Sequence, residues 1–382
     1  MDFSFTEQQD MLRISARDFL VKECPKAKVR EMFQDERGYD PQIWHSMAEL
    51  GWMGLIFPEE YGGMGASFMD LVILTEEMGR NILPSPFFST IALCALPLLK
   101  YGSSEQKNKF LPRIAKGEAI WTFALAESSG RYKTSEVKLR AVLKGTNYVL
   151  QGYKLFVTDA HVADYILVLG RTGEGESPEG GITLFIMDTR ESNMKKEAIP
   201  TIGGDRQFKV SFDKVAVPKD NILGKIGNGW DIVDFILQRA AVLKCAEMSG
   251  ACQAVLDITS SYAKERIQFD RPIGSFQAIQ HKLADMLIDV EAVQYLLYQA
   301  AWGISVGSPA PWQISVAKAK ANEAYQRICI EAIAAHGAIG YTMDHDVGLY
   351  YRRVRAAQFA AGDTDLHKEV VAIGLGLDKI KS

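Results

Sequence analysis

Cysteine and histidine are sparse in this sequence, and neither falls into a ligand pattern. Five cysteines and six histidines are spread over 382 residues. Cys24, Cys94, Cys245, Cys252 and Cys329 are odd in number and show no Cys-x-x-Cys or Cys–His spacing. This argues against the zinc and redox motifs and leaves buried, reduced thiols of a cytoplasmic protein as the expectation, with no metal. Long runs of one charge are missing too. With a net charge of −4 and no basic stretch, neither nucleic acid nor a membrane surface is an expected partner. The longest apolar run, Phe87 to Leu99, is broken by Pro97 and falls short of the roughly 20 residues of a membrane span. The chain opens on an acidic amphipathic helix, so no export signal is expected. Internal repeats and low-complexity tails are absent as well.

What is present suits a folded, multi-domain chain. Apolar residues make up 47% and charged residues 24%, as in globular proteins with a large core, and the length predicts two or three domains. Thr6-x-x-Gln9 reads as a capping box opening a helix with Met11, Leu12, Ala16, Phe19 and Leu20 on its apolar face. A second helix is predicted from near Pro41 to Leu50. Ser67-x-x-Asp70 caps another; Pro84-Ser85-Pro86 introduces one through Ala95 that Pro97 should end or kink; and one more follows from Ser104 to about Ala115.

At Ile120 the period changes. Short β-branched and aromatic runs follow, separated by Gly, Asn, Asp and Ser: Trp121–Leu125, Val137–Leu143, Tyr148–Leu150, Lys154–Val157, Tyr165–Leu169, Ile182–Met187 and Phe208–Phe212. Such spacing predicts a small antiparallel barrel or sandwich. The acidic, Gly-rich loop Gly173–Gly181 holds a Gly-x-Gly, but no helix follows it. Gly224-x-x-Gly227-x-Gly229 precedes a helix but lacks the strand context of a dinucleotide fingerprint. Long helices are then predicted over Trp230–Arg266, Ala278–Val306, Trp312–Gly337 and His367–Leu375, which belong in a bundle. The expected fold is α+β: an N-terminal helical domain (1–118), a central β domain (119–226) and a C-terminal four-helix bundle (227–382).

The stretch Arg266-Ile267-Gln268-Phe269-Asp270-Arg271-Pro272-Ile273-Gly274-Ser275-Phe276-Gln277 joins two of the long helices. Guanidinium groups give planar recognition of phosphate or carboxylate, and Phe269 offers a flat apolar face. On residue types alone it reads as well as a helix–helix connection with exposed charges.

Arg-x-Gln-Phe-x-x-Pro-Ile-x-x-Phe-Gln resembles the signature of the acyl-CoA dehydrogenase family. The chain is similar to that family from about Phe3 to about Gly376, as a divergent bacterial member. The resemblance implies the helix, barrel, helix architecture, FAD as cofactor, an acyl-CoA substrate and an electron-transfer flavoprotein as electron acceptor. It implies that Arg266, Phe269 and Gln277 reach a flavin held mainly by a neighbouring subunit, hence a homodimer or homotetramer. Where the family has glycine after the phenylalanine, this chain has Asp270. Leu125-Ala126-Glu127-Ser128-Ser129-Gly130 stands where Thr-Glu-Pro-Gly-x-Gly-Ser lies along the flavin, so Leu125 and Ala126 would bind through backbone N–H groups. Phe156-Val157-Thr158 is similar to the Trp-Ile-Thr beside the ring. Ala334, Gly337 and Ala338 stand where Gln-x-x-Gly-Gly touches the second subunit's flavin. His336 between them, taken alone, is a helix-packing histidine, and strand packing alone could also explain the 125–130 and 156–158 stretches.

The catalytic base is what the resemblance does not supply. Family members remove a proton beside the thioester carbonyl with a glutamate and pass a hydride to flavin N5. That glutamate sits in a Glu-Gly-Thr segment, which here is Ala361-Gly362-Asp363, or on a helix before an arginine, which here is Gln238-Arg239. Gln238, Arg239, Ala361 and Gly362 are therefore expected against the substrate, and the base is unassigned. Neither an amide nor alanine is a general base, and losing one typically forfeits about 10²–10⁴ in rate. Three explanations follow. The base has moved, with Asp363 and Asp365 nearest in sequence, although each also reads as a solvated loop acid or, for Asp363, a flavin contact. The substrate is a cyclic, branched, dicarboxylic or already unsaturated thioester deprotonated elsewhere, for which relatives use an aspartate at another site. In the family the helix after Pro86 lines the acyl end of the pocket, yet Phe87–Cys94 holds no carboxylate. Or the chain is the base-less partner of a hetero-oligomeric dehydrogenase.

Overall fold

The structure is a computed structural model, and it describes residues 5–173, 181–190 and 193–377. Most of the Gly-rich loop expected at 173–181, and Phe3, lie outside the described residues. Helices α1 (Glu7–Glu23), α2 (Lys26–Gln34), α3 (Pro41–Glu49) and α4 (Phe68–Asn81) come first. Both predicted capping boxes form. Thr6 and Gln9 exchange hydrogen bonds of 3.1 and 3.3 Å, and Ser67 and Asp70 do so at 2.7 and 3.3 Å, each satisfying helix N–H groups that would otherwise lack acceptors.

Pro97 does not end its helix. Residues Phe88–Ala95 form a π-helix that passes directly into α5 (Leu96–Tyr101). Proline falls in the first turn of the α-helical part, where its missing N–H matters least. After α6 (Ser104–Ala115) the chain enters the sheet: β1 (Trp121–Ala124), β2 (Arg140–Lys144), β3 (Asn147–Thr158), β4 (Tyr165–Arg171), β5 (Ile182–Asp188), β6 (Met194–Ile199), β7 (Gln207–Pro218) and β8 (Ile222–Leu223). Antiparallel ladders dominate the order β6-β7-β3-β2-β4-β5-β8, while β1 and β2 both meet β4 in parallel. The runs predicted at Tyr148–Leu150 and Lys154–Val157 are one strand, with irregular register against β7 around Gly152.

The rear of the molecule is helical: α7 (Gly229–Glu265), the hairpin β9 (Ile267–Gln268) and β10 (Arg271–Pro272), then α8 (Gln277–Ser305), α9 (Pro311–His336), α10 (Asp346–Ala357) and α11 (Thr364–Gly374). The front and rear helices lock at one crossing of α4 on α7. A Cβ on Gly79 would meet the Glu247 carbonyl at 2.1 Å, and one on Gly250 would meet the Glu76 carbonyl at 1.8 Å. Only hydrogen at both positions lets the backbones touch. Beside the crossing, buried Glu76 accepts from Arg13 (2.9 Å), Tyr298 (2.8 Å) and Ser249 (2.7 Å), tying α1, α4, α7 and α8 together. This contact fixes which face of α7 looks toward the sheet.

Candidate active site

A cavity of about 850 Å³ lies between the sheet, the front helices and the rear bundle. The ends of two strands form one wall. Leu125 and Ala126 follow β1, and Phe156 and Thr158 close β3. A buried ion pair holds the two segments together. Lys154 Nζ donates to Glu127 Oε1 at 2.8 Å and to the Leu125 carbonyl at 3.0 Å. Glu127 also accepts from the Lys138 and Leu139 amides. Burial lowers the Lys154 pKa, and Glu127 opposes that shift. A pair buried this way needs all of its hydrogen bonds to offset desolvation, and here they are present.

Two polar groups on this wall are unspent. The Ala126 N–H donates to no described residue, although Ala126 is only 9% exposed. The Thr158 hydroxyl likewise has no partner among the described residues, while the Thr158 carbonyl accepts from Thr122. A buried backbone donor left unpaired is unusual, so the wall is shaped for an external acceptor. Phe156 is 49% exposed on the same wall. An unpaired N–H, a hydroxyl and an open aromatic face suit a planar heterocycle with hydrogen-bonding edges; the residues present therefore fit a flavin.

The backbone here is strained. Seven described non-glycine residues have left-handed φ, and four of them line the cavity: Ile82 (54°), Phe156 (57°), Asp159 (58°) and Ala361 (57°). Two more, Phe269 (54°) and Asp270 (63°), form the tip of the β9–β10 hairpin. Each such residue costs about 1–3 kcal/mol and persists only where its surroundings impose it. Strain of this kind concentrates where side chains must be aimed.

The opposite wall comes from the rear helices. Leu237, Lys244 and Glu247 of α7 face the cavity, with Lys244 and Glu247 ion-paired. Gln238 and Arg239 are not part of the wall; Arg239 turns back to lie 3.6 Å from the Phe235 ring centroid, and burial lowers its pKa to about 10. Ala361 and Gly362 line the cavity, as do Asp363 and Asp365. Asp363 is the N-cap of α11, accepting from the Leu366 amide at 2.9 Å, and both aspartates are exposed.

The turn carrying Ala361 is fixed from behind. Lys318 Nζ donates to the Gly362 carbonyl at 3.1 Å and to Asn322 at 2.6 Å. His367 Nε2 reaches the Ala361 carbonyl at 3.0 Å, while its Nδ1 faces Ser315 Oγ at 3.0 Å. The carbonyl can only accept, so Nε2 carries the proton and Nδ1 accepts from Ser315. Burial lowers Lys318 to about 7 and His367 to about 4. The turn is thus braced as if for a reacting group, yet Ala361 provides none.

The other sequence-predicted residues sit away from this cavity. Arg266, Phe269 and Gln277 are exposed around the hairpin, with Phe269 at 85%. Ala334, Gly337 and Ala338 are exposed at the end of α9. His336 is buried, stacked 4.2 Å from Tyr262, with Nδ1 at 2.8 Å from the Ala332 carbonyl, as a packing histidine would be. Sequence reading missed Ser89, Asp159, Lys244, Glu247 and Arg353, all on the cavity wall. For Asp159 a signal existed: it is the carboxylate directly after the ring-and-hydroxyl triplet 156–158.

Helices lie before and after a central sheet, and the wall of the cavity between them carries residues that fit a flavin. Comparison with known proteins gives the family. The acyl-CoA dehydrogenase N-terminal domain matches residues 6–118, the middle domain residues 122–215 and the C-terminal domain residues 227–376. The chain is 32% identical to the probable acyl-CoA dehydrogenase YngJ of Bacillus subtilis, over 97% of this chain and 99% of that one. Among solved structures, the butyryl-CoA dehydrogenase from Megasphaera elsdenii superposes with a TM-score of 0.92 at 29% identity, covering 98% of this chain and 100% of that chain. The ChsE4-ChsE5 complex from Mycobacterium tuberculosis gives 0.90 at 27% identity, covering 100% of both. The chain belongs to the acyl-CoA dehydrogenase family of flavin-dependent oxidoreductases.

Proposed function

We propose that the chain is an FAD-dependent dehydrogenase of CoA thioesters whose acyl group is cyclic, branched or dicarboxylic, with the usual glutamate base replaced. The observation that carries this reading is the cavity itself. Its sheet wall offers Phe156, the Thr158 hydroxyl and the unpaired Ala126 N–H, while its rear wall holds Ala356, Ala357, Ala360 and Ala361 side by side. FAD, when bound there, supplies the hydride acceptor. The sheet wall orients the ring, and the four small side chains leave room for an acyl group wider than a straight chain. The Arg353 guanidinium lines the same space and makes no hydrogen bond or ion pair with a described residue, which favours an acyl group carrying a carboxylate.

The exposed hairpin supports a second reading for assembly. Phe269 and Asp270 hold left-handed φ at the surface, so strain is kept at a place where one chain gives it no use. We infer that Arg266, Phe269 and Gln277, with Ala334, Gly337 and Ala338, complete the flavin site of a neighbouring subunit, in a homodimer or homotetramer. The likeness to a two-protein complex supports the alternative that this chain is the base-less partner of a hetero-oligomer. An electron-transfer flavoprotein is the proposed electron acceptor and the cytoplasm the proposed location. Among the described residues no helix is long and apolar enough to cross a membrane. Expression of the chain alone, with flavin content and dye reduction measured on straight-chain, branched, cyclic and dicarboxylic acyl-CoAs, separates the readings. Turnover by the single chain supports the first. An inert chain that becomes active only with a second dehydrogenase subunit supports the alternative.

A further inference from the structure

Among the described carboxylates of the cavity wall, one is neither committed elsewhere nor exposed to solvent. Glu247 is paired with Lys244. Asp363 caps α11, and Asp365 and Glu369 are exposed along the same helix. Asp205 accepts from Gln207 through Oδ2, and its Oδ1 is sealed from solvent. Asp159 differs from all of these. Its backbone is pinned: the N–H donates to the Arg206 carbonyl at 2.8 Å, and its carbonyl accepts from Val162 and Ala163. The side chain then points at the helix after Pro86, where Ser89 Oγ lies 2.6 Å from Oδ2 and 3.0 Å from the Pro86 carbonyl; its single proton goes to the shorter contact while Asp159 is ionised. Oδ1 accepts from no described residue and is not among the sealed polar atoms, so its lone pairs open into the cavity. The helix that lacked a carboxylate in its own sequence is thus given one by the neighbouring strand end.

We propose that Asp159 is the proton acceptor of this site: hydrogen-bonded by Ser89 and open through Oδ1, it takes the proton from a C–H bond acidified by a thioester carbonyl, directly or through a conjugated double bond. The inference rests on the CoA-thioester reading above. In the step the C–H bond breaks, the proton ends on Asp159 as a carboxylic acid, and the electron pair remains on the thioester as its enolate or dienolate. Without an oxidant the step reverses, and in heavy water a deuteron returns in place of the proton. The charged and titratable groups facing Asp159 are Arg353 from α10 and Lys244 from α7, which favour the anion, Asp205 before β7, which opposes it, and the Tyr39 hydroxyl before α3. Burial dominates and pushes the carboxyl up to about 6, a value suited to a base working near neutral pH.

The test uses the full-length protein, with and without FAD, in heavy water with butyryl-CoA, glutaryl-CoA or cyclohex-1-ene-1-carbonyl-CoA. Deuterium entering the acyl group is read by mass spectrometry, and binding by calorimetry. Exchange into at least one thioester is expected, rising to a plateau above about pH 6 and falling about 10²–10⁴-fold in Asp159→Asn. Ser89→Ala removes a hydrogen bond that favours the anion, so its profile should move to higher pH with most of the plateau retained. Difference infrared spectra of the unliganded protein should show a carboxyl titrating near 6 that disappears in Asp159→Asn. Wild-type rates of exchange in Asp159→Asn would overturn the proposal and leave the flavin dehydrogenase reading standing. So would the absence of exchange in every thioester that binds the wild-type protein, or an unmoved profile in Ser89→Ala. If none of the three thioesters binds, the CoA-thioester reading falls and takes this assignment with it.

Discussion

Replacing Asp159 by asparagine should stabilise the protein at alkaline pH and stabilise it much less at acid pH. The carboxyl is raised from its ordinary 3.8 to about 6, chiefly by burial. Between those values the native state holds the proton more tightly than the unfolded chain does. The group's contribution is therefore fully favourable below pH 3.8 and is lost as pH rises through 6. At 1.36 kcal/mol per pH unit, the ionised carboxylate costs at most about 3 kcal/mol. The figure is an upper bound because Oδ1 faces an open cavity that water can enter. Of this, about 2 kcal/mol should develop between pH 4.5 and pH 8. Asparagine keeps an acceptor oxygen for Ser89, and any constant effect of the amide cancels when the two pH values are compared. Urea unfolding midpoints of wild type and Asp159→Asn, measured across that range with FAD in fixed excess, give the difference directly. A difference independent of pH would refute the reasoning, because it would mean that the carboxyl titrates alike in the folded and unfolded protein.

Ala361→Glu should create desaturation of a straight-chain acyl-CoA such as butyryl-CoA in dye-reduction assays, whereas Gln238→Glu should not, because Ala361 lines the cavity and Gln238 does not. Asp270→Gly should raise stability by about 1 kcal/mol in thermal unfolding, since Asp270 holds a φ of 63° that glycine adopts freely. Gly250→Ala should destabilise severely, or abolish soluble expression, because its Cβ would lie 1.8 Å from the Glu76 carbonyl; wild-type stability would show that α4 and α7 do not touch there. Lys154→Met leaves Glu127 buried without its cation and should cost about 3–5 kcal/mol, with FAD affinity falling as the 125–127 segment loosens.

Regular elements were legible where local chemistry decides them. Thr6 with Gln9 and Ser67 with Asp70 announce helix starts by hydrogen bonds made within three residues, and the long rear helices show in their apolar stripes. Elements without such signals went unseen. Helices α2 and α10 are dense in charge, and β6, Met-Lys-Lys-Glu-Ala-Ile, is a polar edge strand of the kind that resists pairing with other chains. The π-helix before Pro97 has no sequence mark, and the parallel pairing of β1 with β4 depends on tertiary placement. The site divides the same way. The stretches 125–126 and 156–158, which line the cavity, could be picked out from motif resemblance, since each is contiguous. Asp159 directly follows one of these stretches, but where its carboxylate points could not be read, because that depends on a left-handed backbone and on Ser89, 70 residues earlier in the chain. Arg353 and the four neighbouring alanines acquire meaning only once α10 is folded against the sheet.

Flavin binding to the purified chain tests the central claim most directly. Apoprotein titrated with FAD, followed by flavin absorbance and sedimentation, should take up about one FAD per chain in a dimer or larger assembly. Thr158→Val and Phe269→Ala should each weaken that uptake, the first from within the cavity and the second from the neighbouring subunit. A protein that stays colourless after incubation with FAD, or one that holds FAD tightly as a monomer at micromolar concentration with Phe269→Ala having no effect, would contradict the account.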